Sequence, residues 1–135
     1  METKRTRLTL LTLFGIVGIL FTQLHRFASQ LSWYWQYPWL DNVSHYMGGI
    51  VLGLFFAYVL SVMGYRLGWN RTTYVILLCG VAFIGISWEI FEYVFDIAFP
   101  GVAGYAIDTS TDLGLDFLGT FTVLLAVSIR KNNEA

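Results

Sequence analysis

Four apolar stretches divide the chain, at about Leu8–Leu24, Val43–Met63, Thr73–Phe99 and Asp112–Ile129. Each approaches the ~20 residues needed to cross a hydrocarbon core. Short polar or turn-forming segments separate them. This pattern predicts an all-α fold: a four-helix integral membrane bundle in one domain spanning 1–135. Composition agrees. Hydrophobic residues make up 56% and charged residues 13%, with a mean hydropathy of +0.61, whereas soluble domains carry about 25% charged residues. No repeat, linker or low-complexity tract interrupts the sequence.

The basic residues orient the bundle. Lys4, Arg5 and Arg7 precede the first stretch, Arg66 and Arg71 lie between the second and third, and Arg130 and Lys131 follow the fourth. Only Arg26 falls on the other side. The positive-inside bias predicts that both termini are cytoplasmic and that the 25–42 and 100–111 connections face outward. The first stretch has a rival reading as a cleaved signal peptide, but Phe27-Ala28-Ser29 is a poor cleavage site, so it is taken as a retained helix. A multi-pass protein of a prokaryotic inner or plasma membrane is expected. The aromatic segment Trp33-Tyr34-Trp35-Gln36-Tyr37-Pro38-Trp39 reads as an outer interfacial anchor that could also roof what lies beneath. Tyr65, Trp69 and Tyr74 form the inner counterpart.

Against this apolar background the acidic residues stand out. Asp41, Glu89, Glu92, Asp96, Asp108, Asp112 and Asp116 lie in or beside the spans, all toward the outer end, and His45 joins them. An ionisable group near the centre of a spanning helix costs roughly 2.5–3.5 kcal/mol on insertion scales. At ~1.5 Å per residue, Glu89 lies about 24 Å, Asp116 about 21 Å and His45 about 27 Å from the inner edge. Three helices thus bring polar groups to one depth in a core about 30 Å thick.

Spacing sharpens the grouping. Asp41 and His45 are i and i+4. Glu89, Glu92 and Asp96 follow i, i+3, i+7, and Asp108, Asp112 and Asp116 follow i, i+4, i+8, the first of them in the loop. Asp112 and Asp116 would then begin the fourth helix, where the dipole favours anions, as Asp41 does in the second. Gly49-x-x-x-Gly53, Gly85 and Gly119 read as close-packing positions. Asp96 and Asp108, near the interface, read as capping or surface groups. His25 reads as an interfacial loop residue and Cys79 as helix packing. No base accompanies Ser87, Thr109, Ser110 or Thr111 as a serine-type nucleophile would require.

Three chemistries fit such a cluster. A divalent cation would relieve the mutual repulsion of the carboxylates. Oxygen donors suit Mg²⁺, Ca²⁺ or Mn²⁺, and a histidine shifts preference toward Mn²⁺ or Zn²⁺. The candidate metal ligands are Asp41, His45, Glu89, Glu92, Asp112 and Asp116, with Glu89 or Glu92 as candidate catalytic base. Alternatively the same groups carry protons or cations across the membrane. In the third reading they are structural, bonding to Trp, Tyr, Ser and Thr partners in a non-catalytic assembly protein. The net charge of −1 argues against a nucleic-acid partner. One cysteine excludes an internal disulfide and a cysteine zinc site.

Asp41-Asn42-Val43-Ser44-His45-Tyr46-Met47-Gly48-Gly49 resembles the D-x-x-x-H-(F/Y)-x-x-G opening of YjdF-like and VanZ-like small membrane proteins. Trp88-Glu89-Ile90-Phe91-Glu92 resembles their glutamate-bearing helix. The segment Asp108–Gly119 is similar to the D-T-x-x-D-(L/M)-x-x-D-x-x-G ending of the YjdF-like group. The likeness covers roughly 41–119. Asn42, where VanZ-like chains carry a basic residue, makes the YjdF-like match the closer one. The resemblance implies the same acidic and histidine site rather than a named reaction. The resulting expectation is a metal-dependent protein directed at a membrane lipid or lipid-linked headgroup. A transporter built on these helices would require a homo-oligomer.

Overall fold

The structure, a computed structural model, describes residues 3–67, 70–95 and 104–133. Five helices make up the described chain: α1 (Lys4–Gln30), the short α2 (Trp33–Gln36), α3 (Trp39–Val62), α4 (Arg71–Val94) and α5 (Tyr105–Asn133). All but α2 are long and apolar enough to cross a membrane.

The helices run further than the apolar stretches. The Thr3 hydroxyl caps α1 by accepting from the Thr6 amide at 3.1 Å. That helix continues six residues past Leu24, because His25–Gln30 contains no glycine or proline to stop it. It ends where the Leu31 amide bonds Phe27 O, just before Ser32 turns left-handed at φ 55°. His25 is therefore helical rather than in a loop. Proline, with its pre-set φ, favours the first turn of a helix. Pro38 stands at the start of α3, so Trp39–Asn42 are helical too. Gly104, at φ 111°, makes the turn that starts α5 at Tyr105, seven residues before the apolar stretch. Asp108 thus sits in the first helical turn, not in a loop. At the other end, Asn70 caps α4 by accepting from the Thr72 amide at 2.9 Å. The helix stops at Val94, short of the expected Phe99. Asp96 and Trp69 lie outside the described residues.

The centre of the bundle is the α3–α5 pair. Gly49 packs against the backbone carbonyl of Asp116, Gly119 against the carbonyl of Tyr46, and Gly53 against Thr120, where an added Cβ would lie 3.1 Å from the Thr120 Cα. Without side chains at these positions the two backbones approach closely, which is how membrane helices gain packing in lipid. The buried Thr120 hydroxyl adds a bond to Gly49 O at 2.9 Å. Toward the Val62 end of α3, Leu54, Ala57, Leu60, Leu77, Val123 and Leu124 form the apolar core.

The other two long helices flank this pair. α4 packs on both α5 and α3, whereas α1 packs chiefly on α3. Only 6% of the apolar window of α1 is buried, against 39% for α3 and α5, so α1 is largely lipid-facing. Its exposed Leu8, Ile16, Ile19 and Leu20 would be an aggregation surface in water and are at home in hydrocarbon. Cys79 is exposed on α4 rather than packed within the bundle.

Candidate functional site

The polar cluster forms where the Asp41 end of α3, the Val94 end of α4 and the Tyr105 end of α5 meet. Asp41 and His45 stack on one face of α3, one turn apart. Asp112 and Asp116 do the same on α5. His45, Asp112 and Asp116 are all buried, and Asp41 is partly exposed. The imidazole is the hub. Its Nδ1 lies 3.5 Å from Asp116 Oδ1. On the opposite edge of the ring, Nε2 lies 4.0 Å from Asp41 Oδ1 and 4.0 Å from Asp112 Oδ2. One ring thus faces three carboxylates.

That geometry divides the labour between its two nitrogens. Nδ1 faces Asp116 at 3.5 Å; with the ring proton on Nδ1 that contact leaves Nε2 bare, as carboxylates do behind metal-bound histidines. A bare Nε2 between two carboxylates gathers three acceptors with nothing to donate. A cation or an added proton must therefore stand among them. Among the described residues, Asp41, His45 and Asp112 form a group that could hold a metal ion, with one ligand atom from each lying within 4.8 Å of the others. Asp116 lies on the other side of the ring, outside that group. The carboxylate seat depends on Gly85 of α4, whose missing Cβ would lie 2.9 Å from Asp116 Oδ2.

The glutamates occupy a neighbouring position. Glu89 is buried and accepts from the Thr109 hydroxyl through Oε2 at 2.8 Å, while Oε1 is buried without a partner. Glu92, one turn on, is half-buried. Neither belongs to the Asp41–His45–Asp112 group, so the six expected ligands separate into a histidine-centred set on α3 and α5 and a glutamate pair on α4. Asp112 Oδ1 is also buried without a partner.

Two expectations from spacing change. The inward stripe of α5 is half-buried Thr109 with buried Asp112 and Asp116 at i, i+3, i+7, whereas Asp108 is exposed. And because α5 starts at Tyr105, Asp112 lies two turns inside it. The dipole effect fades within the first turn, so it supports Asp41 and Asp108 but not Asp112 or Asp116.

The aromatic segment supplies a roof. Tyr34 of α2 turns inward, while Trp35, Tyr37 and Trp39 stay exposed as an interfacial belt. The Tyr34 hydroxyl lies 2.8 Å from His25 Nδ1 and 2.9 Å from Ser44 Oγ. Ser44 donates to Leu40 O at 3.1 Å. With the serine proton so committed, the chain has one direction: His25 Nδ1–H to Tyr34, Tyr34 O–H to Ser44, Ser44 O–H to Leu40 O. Burial raises the Tyr34 pKa above its ordinary 10.0, and the nearby charges of Asp41 and Glu92 raise it further, against a smaller lowering by the Ser44 bond. The phenol therefore stays protonated and can serve as a donor. The His25 ring also packs among Phe21, Tyr34 and Trp88, with centroids 5.7–6.2 Å away. His25, Tyr34, Ser44 and Thr109 are site neighbours that the charge pattern alone did not pick out. Thr109 was available as i−3 of Asp112, and Ser44 as the residue beside His45.

Four apolar helices around a buried His/Asp cluster define a multi-pass membrane protein. The chain matches the family described as "Predicted membrane protein (DUF2238)" over residues 1–133, and it belongs to that family. No curated protein and no solved structure matches it.

Proposed function

We propose that this protein binds a divalent cation between Asp41, His45 and Asp112 and acts on, or holds, the polar head of a membrane lipid or lipid-linked substrate from the outer side. The observation that carries the reading is the Nε2 edge of His45 set between two carboxylates. At about 2.1 Å from each N or O donor, one ion spans donors up to ~4.2 Å apart. Tetrahedral donors at that distance stand ~3.4 Å apart, so each 4.0 Å separation must close by about 0.6 Å, which side-chain rotation can supply. One nitrogen and two oxygens favour Mn²⁺ or Zn²⁺ over Mg²⁺ or Ca²⁺. Such an ion, when bound, would polarise a phosphate oxygen or acidify a water. Glu89 keeps an unpartnered buried oxygen and is the candidate base, with Glu92 beside it. Asp116 orients the imidazole. Tyr34 and His25 close the site from above. The YjdF-like spacing of 41–119 supports the same residue set, and the basic-residue asymmetry supports an outward-facing site with both termini cytoplasmic.

Metal content of purified protein, paired with melting in detergent, tests this. A ligand that binds only the folded state adds about 2.7 kcal/mol at a hundred times its dissociation constant. Melting should rise with Mn²⁺ or Zn²⁺, fall with chelator, and lose the response in Asp41→Asn and Asp112→Asn. Protein that carries no metal, ignores Mn²⁺, Zn²⁺, Mg²⁺ and Ca²⁺, and melts higher with those neutral substitutions would overturn the reading. A proton or cation transporter, working as a homo-oligomer and assayed by flux in liposomes, would then lead over a non-catalytic assembly role.

A further inference from the structure

Among the described residues, two carboxylate oxygens are buried without a partner: Glu89 Oε1 on α4 and Asp112 Oδ1 on α5. Both residues are more than nine-tenths buried, at 7% and 2% exposed. We infer that a second divalent cation is held between these oxygens, on the α4 side of Asp112, so that the Asp112 carboxylate bridges two ions. The inference rests on the metal-binding reading above and extends it from one ion to a pair.

The packing of α4 on α5 brings the two carboxylates to one level. Gly85 meets Asp116 and Leu113, and Glu89, one turn further along α4, takes a bond from Thr109, so the helices run antiparallel. Asp112 lies between Thr109 and Asp116 on the inward stripe of α5, opposite the turn from Gly85 to Glu89. Residues three apart on a helix have Cβ atoms about 5–6 Å apart, so the Thr109 bond holds the Glu89 carboxylate within a side chain's reach of Asp112. The direction of each free oxygen follows from its twin. Glu89 Oε2 is taken up by the Thr109 hydroxyl at 2.8 Å. Asp112 Oδ2 is turned toward α3, 4.0 Å from His45 Nε2. Glu89 borders a surface groove with Ile90 and Tyr105, but its Oε1 has no open surface and therefore faces the interior.

Two inward acceptors on neighbouring helices call for a shared cation. A buried acceptor left without a partner costs about 1–3 kcal/mol, more when charged. No described side chain supplies a donor to either oxygen. Thr109 is committed to Glu89 Oε2. The basic residues of α4 and α5, Arg71, Arg130 and Lys131, stand at the opposite ends of these helices from Glu89 and Asp112. One cation meets both oxygens and also relieves the repulsion between the carboxylates. With oxygen donors alone the second position suits Mn²⁺ or Mg²⁺, whereas the imidazole makes the first the softer of the two. Ions in two-metal sites lie ~3.5–4 Å apart, a spacing that the two oxygens of one carboxylate can span. With Glu89 holding an ion, the candidate base is Glu92, one turn on and half-buried.

The test counts ions. The full chain, purified in detergent and stripped with chelator, is loaded with Mn²⁺, freed of excess by gel filtration and assayed for manganese per chain. An electron paramagnetic resonance spectrum is taken on the same sample. Wild type should hold two Mn²⁺ and give the broadened spectrum of a magnetically coupled pair. Glu89→Gln should hold one and give the sharp hyperfine pattern of an isolated ion. If Glu89→Gln does not fold, Thr109→Ala serves instead. It releases Glu89 Oε2 without touching Asp41, His45 or Asp112, and should weaken the second ion ~10–100-fold. One Mn²⁺ in wild type, unchanged in Glu89→Gln or Thr109→Ala, would overturn the second site and leave the first standing. Two ions without magnetic coupling would overturn the bridge. No bound Mn²⁺ in wild type would overturn the parent reading together with this one.

Discussion

Two glycine-to-alanine changes, one on α4 and one on α3, test how the cluster is built. At Gly85, an added methyl would lie 2.9 Å from Asp116 Oδ2 and 2.8 Å from Leu113 Cδ2. Heavy atoms attract only beyond about 3.5 Å, so each must retreat by roughly 0.6–0.7 Å. Both are ends of side chains that can rotate, and alanine returns up to ~1 kcal/mol of helix propensity. Gly85→Ala should therefore change apo stability by no more than about 1 kcal/mol. The cost falls on the site. The Asp116–His45 contact is already 3.5 Å, beyond the usual 2.7–3.2 Å, and a further retreat breaks it. Losing such a support weakens metal binding ~10–100-fold, which is about 1.4–2.7 kcal/mol.

Gly49→Ala should do the opposite. Here the methyl meets the Asp116 backbone, with Cα 2.8 Å away, and no torsion can relieve it. α3 and α5 must separate. Overpacking costs about 1–3 kcal/mol, less the ~1 kcal/mol from propensity, and the Thr120–Gly49 bond is strained as well. A net loss of about 1–2 kcal/mol is expected from these terms. The assay is thermal melting in detergent across a Mn²⁺ or Zn²⁺ series. Gly85→Ala should melt near wild type without metal and need ~10–100 times more metal for the same rise. Gly49→Ala should melt lower throughout. If Gly85→Ala titrates like wild type, Asp116 does not position the imidazole. If Gly49→Ala melts like wild type, the helices are not in backbone contact.

Reporter fusions at residue 135 and in the 100–111 connection should place the first inside and the second outside; an external C-terminus would move the site to the other face. Thr120→Val removes one interhelical hydrogen bond and should cost ~0.6–1.7 kcal/mol in reversible unfolding, with an unchanged value showing that the bond contributes nothing. Tyr34→Phe should remove a phenol that ionises above the ordinary 10.0. Because folding favours its neutral form, its stabilising share is present below pH 10.0 and lost as pH rises past the raised folded value. A phenolate absorbance difference between wild type and variant that titrates at or below 10.0 would refute the burial of that group.

The membrane class was legible because hydrocarbon demands long apolar helices, and hydropathy reads that demand directly. Helix ends were less so. Residues 105–111 and 39–42 are helical yet carry polar side chains: Thr109 bonds Glu89, while Ser110 and Thr111 return their hydroxyls to Ala106 O and Ile107 O of the same helix. Hydropathy therefore stopped at Asp112 and Val43 while the backbone went on. Starting α5 at Asp112 also cost the choice between Asp108 and Thr109, since two stripes, 108/112/116 and 109/112/116, share two members. Only the partner helix decides which is buried, and Glu89 selects Thr109. Shared depth brought out His45, Glu89 and Asp116, and i+4 spacing added Asp112, but neither could assign the two imidazole nitrogens, which depends on the rotation of α5 about its axis. His25 was unreadable for a different reason. Its partner, Tyr34, comes from a one-turn helix whose path is set by the left-handed Ser32.

The division of the cluster between α3 and α5 also has a consequence for biogenesis. Asp41 and His45 leave the ribosome about 67 residues before Asp112, a delay of roughly 3–13 s at ~5–20 residues per second. During that interval α3 presents an imidazole and a line of bare glycine backbone without α5, the helix that packs on both. The final helix carries the missing carboxylates and the surface that fits those glycines, so one insertion event completes both the chemistry and the packing. A nascent chain stalled before Asp112 would hold an unfinished polar face in the bilayer, a form that membrane quality control could distinguish from the finished bundle by charge as well as by shape.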